Sequence, residues 1–377
     1  MRILQVSPFY YPHAGGVESH VRSLAGEFAR QGHEVTILTS RYDRSLAVQE
    51  EKDGCHIVRV PSMGVAFNTP IDPAIQRIVG TIRTDIAHMH YPPPLTAYFA
   101  ARGLTPRRTP TCLTYHADLF LRGAGGRMLT ELYQRVFLPG TLNRVDRIIV
   151  HTRSYAMTST MLRDRSLTII PSVVDLDRFR PGIDGNEVRR MLGIEGKRIL
   201  AFTGRLVPHK GLEVVLRALP DLPSDIVFLV IGSGPRLGDL VRLARRLNVT
   251  ERVRFCPAVS DEDLPKYLSC ADLFVFPSQN RLEGFGLAVA EAMAIGLPVL
   301  VADMPGVREV IEPGKEGLLA EPLLATDFAA KIRLLLDDTA LRQRMGQAGR
   351  ARAEERYGLG SIVQQLLTVY RDLIAAG

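Results

Sequence analysis

Two doubly wound α/β domains are the fold class this sequence predicts, and three observations lead there. Short apolar runs alternate with stretches of helical period through nearly the whole chain, the pattern of parallel sheets covered by helices. The runs fall into two sets, each able to fill one sheet. A chain of 377 residues exceeds one ordinary domain and suits two, each with its own core. In the first half, strands are expected at 3–6, 35–38, 57–60, 86–89, 111–115, 148–150 and 167–170. In the second half they are expected at 199–203, 227–231, 253–256, 273–276 and 298–301. Between the sets, Pro181-Gly182, Asp184-Gly185 and Gly193 cluster as turn formers within a break at about residues 175–195. The expected division is an N-terminal domain over 1–178, a C-terminal domain over 179–357, and a closing helix over 358–377 that packs back on the first domain.

Composition narrows the class. The chain is 46% hydrophobic and 23% charged, as an ordinary globular protein is. No apolar run approaches the roughly 18 residues that span a bilayer. The basic, apolar start Arg2-Ile-Leu-Gln-Val soon meets Pro8 and Pro12 and lacks a signal-peptide pattern, so it reads as a first strand. Cys55, Cys112, Cys256 and Cys270 show no paired metal spacing and suit reduced thiols in a cytosolic protein. The charge has a location: residues 101–165 hold eleven Arg, no Lys and four acids, an excess equal to the +7 of the whole chain. A one-sided basic surface favours anionic partners such as acidic lipid or nucleic acid. That half has no recognised nucleic-acid motif and no row of stacking aromatics, so nucleic acid is not expected.

In open α/β sheets ligands gather at the carboxyl ends of strands, and the chemically interesting residues of this chain fall there. After the run 273–276 comes Glu283-Gly-Phe-Gly-Leu-Ala-Val-Ala-Glu291, with a helix expected over 287–295 that Gly296 and Pro298 stop. Gly284 and Gly286 let the backbone approach a ligand, and free amides at the helix start can hold a diphosphate. A carboxylate beside phosphate would repel it, so each Glu is better suited to neutral hydroxyls, one of a ribose and one of a sugar. Ordinary stabilisation of a helix dipole by acids explains the pattern equally well. The loop Gly204-Arg-Leu-Val-Pro-His-Lys-Gly211 sets Arg205 and Lys210 five residues apart, able to neutralise a diphosphate leaving group or simply to be solvated. Gly15-Gly16 precedes a helix expected from residue 17, while His90 and His116 each end a strand.

Taken together, these segments resemble the retaining glycosyltransferases of family 4, which have the GT-B fold of two Rossmann-like domains facing a cleft. The resemblance rests on Arg205 and Lys210 in their loop, on Glu283 to Glu291 followed by Ala292-Met-Ala-Ile-Gly-Leu-Pro-Val299, on Gly15-Gly16, and on Tyr115-His-Ala-Asp118. It covers nearly the whole chain. It implies that Glu283 binds donor-sugar hydroxyls, Glu291 the nucleotide ribose, and Arg205 and Lys210 the diphosphate, with further contacts from backbone amides of Phe285, Gly286 and Leu287. Gly15 and Gly16 would cap a helix facing the donor phosphates, and His116 would touch the sugar near the reacting carbon. His90 and Asp118 would face the acceptor. Two departures stand out: Pro171-Ser-Val-Val-Asp175 where relatives often have Pro-Asn-Gly-Val-Asp, and Pro305-Gly306 where Gly-Gly is usual.

Other patterns have plainer readings. Asp261-Glu-Asp263 spells a metal-binding Asp-x-Asp, yet Ser260-Asp-Glu-Asp-Leu also reads as a capped helix start. Asp175-Leu-Asp177 reads as a turn or cap. Gly232-Ser-Gly234 lacks the third glycine of a dinucleotide fingerprint and is expected to line the nucleotide pocket. Over 127–137, Met128, Leu129, Leu132, Tyr133 and Val136 form one helical stripe that suits either a membrane surface or the core. The expected function is metal-independent, cofactor-free transfer of a hexose from a nucleoside diphosphate sugar to a glycan or lipid-linked acceptor. Polysaccharide or lipopolysaccharide assembly is the expected setting, in the cytoplasm and peripherally on an acidic membrane through the Arg-rich half. The alternatives are a GT-B epimerase, a phosphorylase, for which no pyridoxal phosphate lysine is evident, and a nucleotide-sugar sensor without turnover.

Overall fold

The computed structural model describes the chain apart from residues 14, 67, 120–122, 281 and 377 and the side chains of residues 123, 124 and 127. The chain divides into two units. One comprises Met1–Val173 together with Leu359–Gly377, and the other Val174–Gly358.

The first unit is built on an eight-stranded sheet. Its strands are β1 (Arg2–Val6), β2 (Glu34–Arg41), β3 (Gln49–Lys52), β4 (Cys55–Pro61), β7 (Ile86–Tyr91), β8 (Thr111–Tyr115), β9 (Arg147–Val150) and β10 (Leu167–Ile169), with β5 (Val65–Ala66) and β6 (Thr69–Pro70) forming a separate small hairpin. The order is β10-β9-β8-β7-β1-β2-β4-β3, parallel throughout except for β3. Alternation along the strands feeds two cores. Leu4, Val6, Met89 and Leu113 pack on one face beneath the helix Pro94–Leu104. Ile3, Val35, Ile37 and Ile86 pack on the other beneath the helices Gly16–Arg30 and Leu359–Ala376. The latter two helices pack against each other, with Phe28 against Tyr370, which is how the closing segment belongs to this unit. Every run expected in this half forms a strand. The polar β3 was not expected, because Gln-Glu-Glu-Lys offers no apolar signal; its charges suit an exposed edge.

The second unit has one core and six parallel strands, β11 (Arg198–Thr203), β12 (Ile226–Ile231), β13 (Val253–Cys256), β14 (Leu273–Phe276), β15 (Val299–Ala302) and β16 (Gly317–Ala320). Their order, β13-β12-β11-β14-β15-β16, reverses direction between β11 and β14. Such a reversal opens a crevice beyond the carboxyl ends of the two strands, since the connections leave them toward opposite faces. β16 was missed in the sequence because Gly-Leu-Leu-Ala is too short to show a period. The four cysteines are free and buried. Among the described residues no helix is long and apolar enough to cross a membrane.

Candidate active site

The loops that leave β11 and β14 carry Arg205, Lys210 and Glu283. Leaving β11, the chain passes Arg205 and makes a tight turn at Pro208–Lys210 before the helix Leu212–Ala218. Gly211 adopts φ +69°, and a Cβ there would lie 2.0 Å from the carbonyl of Pro277, so only glycine lets this loop lie against the one that leaves β14. The contact aligns the two loops. Lys210 Nζ reaches Glu283 Oε1 at 2.6 Å, and His209 Nε2 lies 3.3 Å from the same oxygen. Lys210 also sits over the ring of Phe276, 4.7 Å from its centre.

Burial works to raise the Glu283 carboxyl, but Lys210 and His209 overcome it and hold the group ionised, lowered to about 2. The loop bearing Glu283 is fixed from behind by Gly306, at φ +92°, where a Cβ would fall 2.4 Å from the Glu283 carbonyl. Proline at 305 therefore replaces the dispensable member of the usual Gly-Gly pair and leaves the indispensable one in place.

Glu291 is the lone charged residue of the helix Leu287–Ile295, which is otherwise apolar on all sides and mostly buried. Desolvation raises its carboxyl to about 7, against a lowering pull from the Arg178 charge and with a raising one from Asp261. An interior helix keeps such a charge at a cost, which marks a group retained for something other than packing. Gly286 caps the helix start at φ +82°, and the first amides after it have no partner within the helix. The Phe285 side chain is buried edge-on against Tyr357. Arg205 is exposed, and its side chain makes no hydrogen bond or ion pair with any described residue. Sequence reasoning singled out Arg205, Lys210, Glu283 and Glu291, and the structure brings Lys210 and Glu283 into contact. It missed His209, hidden inside a motif credited to its neighbours, and Arg178, separated in sequence by more than a hundred residues from Glu291.

Several patterns resolve as local structure. Asp263 stands at the start of the helix Leu264–Ser269 without capping it: its carboxylate accepts from Ser260 Oγ at 2.8 Å and pairs with Lys266 at 3.1 Å, while its amide donates back to Ser260 Oγ. Asp175 accepts the amides of Asp177 and Arg178. Gly232 and Gly234 were expected to line a nucleotide pocket. A Cβ at either would strike the backbone of Gly204 or Leu206, so their smallness serves the close approach of this loop to the one that bears Arg205.

The first unit holds the remaining candidates. Gly15 and Gly16 open the helix Gly16–Arg30, with Gly15 extended at its cap. His116, half-buried, follows β8 directly; its Nε2 lies 3.1 Å from His90 Nδ1 and its Nδ1 2.9 Å from His151 Nε2. His90, expected to face an acceptor, does not. It is fully buried, with its other nitrogen 2.8 Å from Gln5 Oε1, because it points along the interior of β7. The Asp118 carboxylate accepts hydrogen bonds from Tyr115 at 2.7 Å and Ser159 at 2.8 Å.

Comparison with known proteins places this arrangement. Residues 14–178 match the family model described as Glycosyltransferase Family 4, and residues 184–352 the one described as Glycosyl transferases group 1. A D-inositol 3-phosphate glycosyltransferase of Nocardia farcinica is 30% identical over 364 residues, covering 88% of this chain and 79% of that one. A GDP-mannose-dependent alpha-(1-6)-phosphatidylinositol monomannoside mannosyltransferase of Mycolicibacterium smegmatis is 28% identical over 92% of each chain. In fold, the chain matches sucrose-phosphate synthase of Thermosynechococcus elongatus with a TM-score of 0.82 at 24% identity over the full length of both. Anabaena HepE, solved with UDP-glucose, matches with a TM-score of 0.82 at 20% identity, over 99% of this chain and 100% of that one. Two family models lying end to end along the sequence, with a 30% identical relative across most of both lengths, make this protein a member of glycosyltransferase family 4, an enzyme with the GT-B fold.

Proposed function

We propose that the enzyme transfers a hexosyl group from a nucleoside diphosphate sugar to a hydroxyl of a glycan or lipid-linked acceptor, with retention at the anomeric carbon and without a metal. The observation that carries this reading is the division of labour at the crevice. Glu283 is held ionised by Lys210, while Arg205 remains free to take a phosphate. In the transfer, the bond from the anomeric carbon to the diphosphate oxygen breaks and a bond to the acceptor oxygen forms on the same face. The acceptor proton passes to the departing phosphate. Negative charge grows on that diphosphate, and preorganised cations on Arg205 and Lys210 lower the barrier most where the charge is greatest. Glu283 and Glu291 take sugar and ribose hydroxyls. At about 7 the Glu291 carboxyl is half protonated near neutral pH, so it can donate as well as accept. The relatives named above, one GDP-mannose-dependent and one a D-inositol 3-phosphate glycosyltransferase, support a nucleotide-sugar donor and a phosphorylated or lipid-linked acceptor.

A donor screen by thermal shift, bare nucleoside diphosphates first and their sugars second, identifies the base and then the sugar. With the donor in hand, Arg205→Ala should lower turnover by about a hundredfold or more while leaving the melting temperature in place, because the Arg205 side chain bonds to none of the described residues. Unchanged turnover overturns the assignment. Transfer should persist in a chelator, and a strict requirement for Mg²⁺ or Mn²⁺ counts against the metal-free route.

The second part of the proposal is docking on acidic lipid through the first unit. Of the stripe noted in the sequence, Met128, Leu129, Leu132 and Val136 are exposed and only Tyr133 turns into the core. An outward apolar row with Arg135 alongside supports the membrane reading over the packing one.

A further inference from the structure

Five histidines that are scattered in sequence meet inside the first unit. His88 and His90 lie on β7, His116 and His151 directly follow β8 and β9, and His20 comes from the helix Gly16–Arg30. Ring centres of His20 stand 5.1 to 5.8 Å from those of His90, His116 and His151. Among the described residues no carboxylate bonds to His20, His90 or His116, so nothing there favours a doubly protonated ring and each is read as neutral.

The hydrogen bonds then fix where each proton sits. The carbonyl of Ile170 only accepts, so His151 Nδ1, 3.0 Å away, carries the hydrogen and its Nε2 is a lone pair. His116 Nδ1 must donate to that lone pair across 2.9 Å, which leaves His116 Nε2 without a hydrogen. From the other side, Gln5 Nε2 donates to Tyr370, so its Oε1 faces His90 Nε2, which carries the hydrogen there and leaves His90 Nδ1 bare. His116 Nε2 and His90 Nδ1 are 3.1 Å apart. Two lone pairs therefore face each other with no hydrogen between them, an arrangement that calls for a cation. His20 supplies a third. Its Nδ1 is occupied by Ser172 Oγ at 3.2 Å, leaving Nε2 as the nitrogen able to bind. One nitrogen from each of His20, His90 and His116 lies within 4.8 Å of the other two.

We propose that His20 Nε2, His90 Nδ1 and His116 Nε2 bind a divalent transition-metal ion of the zinc class. Bonds of about 2.0 to 2.1 Å put tetrahedral ligand nitrogens about 3.3 Å apart, close to the spacing the His90 and His116 pair already has. An all-imidazole set favours Zn²⁺, Co²⁺, Ni²⁺ or Cu²⁺ over Mg²⁺ or Ca²⁺. Each ligand is also oriented from behind through its second nitrogen, by Ser172, Gln5 and His151, as metal-bound histidines are. Half-buried His116 gives the ion a way in, and three protein ligands would leave the fourth tetrahedral position to water. The ion is no part of the proposed transfer. It takes the His116 nitrogen that the family resemblance assigns to the donor sugar, so metal and sugar compete.

Metal-stripped full-length protein titrated with Co²⁺ alone should develop a visible d–d band that saturates at one equivalent and is bleached by one equivalent of Zn²⁺. His20→Ala should weaken Zn²⁺ binding, read by competition with a chromophoric chelator, by about a hundredfold, and Ser172→Ala by about tenfold. Ser172→Ala serves if the histidine variant does not fold. Absence of the band, or an affinity that both substitutions leave unchanged, overturns the site and assigns the gap to a shared proton or a turned Gln5 amide. Inhibition of transfer by Zn²⁺, relieved by added donor, is the arm that rests on the proposed function. A normal Co²⁺ band without inhibition refutes the sugar contact of His116 and leaves the metal site standing.

Discussion

Glu283 and Glu291 are eight positions apart in number and opposite in electrostatic character, and stability against pH separates them. The Glu283 carboxyl lies below its ordinary value, so the ion pair stabilises the fold above about pH 4.5 and that stabilisation is lost as pH falls through about 2. The Glu291 carboxyl lies above its ordinary value. Its contribution is fully present below about pH 4.5 and lost as pH rises through about 7. At pH 8, Glu283→Gln should therefore destabilise the protein by up to about 3 kcal/mol, whereas Glu291→Gln should stabilise it by a similar upper amount. Denaturation at pH 8 and pH 4.5 checks both, and the Glu291→Gln gain should vanish at the lower value. A gain that persists at pH 4.5 rules out the desolvated carboxylate as its source. Lys210→Ala leaves Glu283 buried without its cation, so its kinetic effect mixes chemistry with stability, unlike that of Arg205→Ala. At this scale the sequence displayed Arg205, Lys210, Glu283 and Glu291 because they sit in short motifs beside glycine. The histidine cluster was invisible, since each ring taken singly looks like a core histidine and only strand order gathers them.

Among the elements, the segment from Gly123 to Leu142 departs most from a plain helix. It runs as the helix Gly123–Leu132, a π-helical turn Tyr133–Phe137 and the helix Leu138–Leu142. The wider turn puts Tyr133 into the core against Tyr91, while Met128, Leu132 and Val136 stay outside. Burying such side chains in lipid yields about 25 cal/mol per Å², and each neighbouring Arg adds about 1 kcal/mol on anionic headgroups. The protein should pellet with anionic vesicles at low salt and release as salt rises, and neutral vesicles should hold it poorly. Met128→Asp with Val136→Asp should abolish pelleting and leave nucleoside diphosphate affinity unchanged, because Arg205 and Lys210, the cations proposed to hold the diphosphate, belong to the other unit. No pelleting by the wild type at low salt would mean a soluble acceptor. Of the arginines suspected of sharing this role, Arg122 lies outside the described residues, as does the side chain of Arg127. Strands buried on both faces were legible as continuous apolar runs, several to the residue, as at Thr111–Tyr115 and Leu273–Phe276. Elements that are polar or very short, β3 and β16, were not, because a periodic signal needs apolar residues and length.

For the whole molecule, the decisive fact is that Val174–Gly358 is one continuous segment with a core drawn entirely from its own residues. That segment, produced alone, should fold and bind a bare nucleoside diphosphate, since Arg205, Lys210 and Glu291 all lie on it. Calorimetry with the segment and the full chain checks this. An unfolded segment would show that its core is insufficient, and a folded segment without affinity would move the diphosphate contacts elsewhere. The two-domain pattern was readable from the sequence, as was the closing helix. The point of division was not, because the chain crosses at Val173 and Val174 inside an apolar stretch, ahead of the turn formers that seemed to mark it.

The first unit, by contrast, is completed by the helix Leu359–Ala376, which covers one face of its sheet and whose Tyr370 hydroxyl meets His88 at 2.6 Å. A ribosome delivers residues in order, and domains generally fold as units as they emerge. Here the order of completion is inverted. The inserted segment can finish while the N-terminal sheet, synthesised before it, still lacks a wall of its core and waits for the helix Leu359–Ala376 to leave the exit tunnel. During that interval the apolar face formed by Ile3, Val35, Ile37 and Ile86 has no cover from the closing helix, and it is the part of this chain that a nascent-chain chaperone would have to shield.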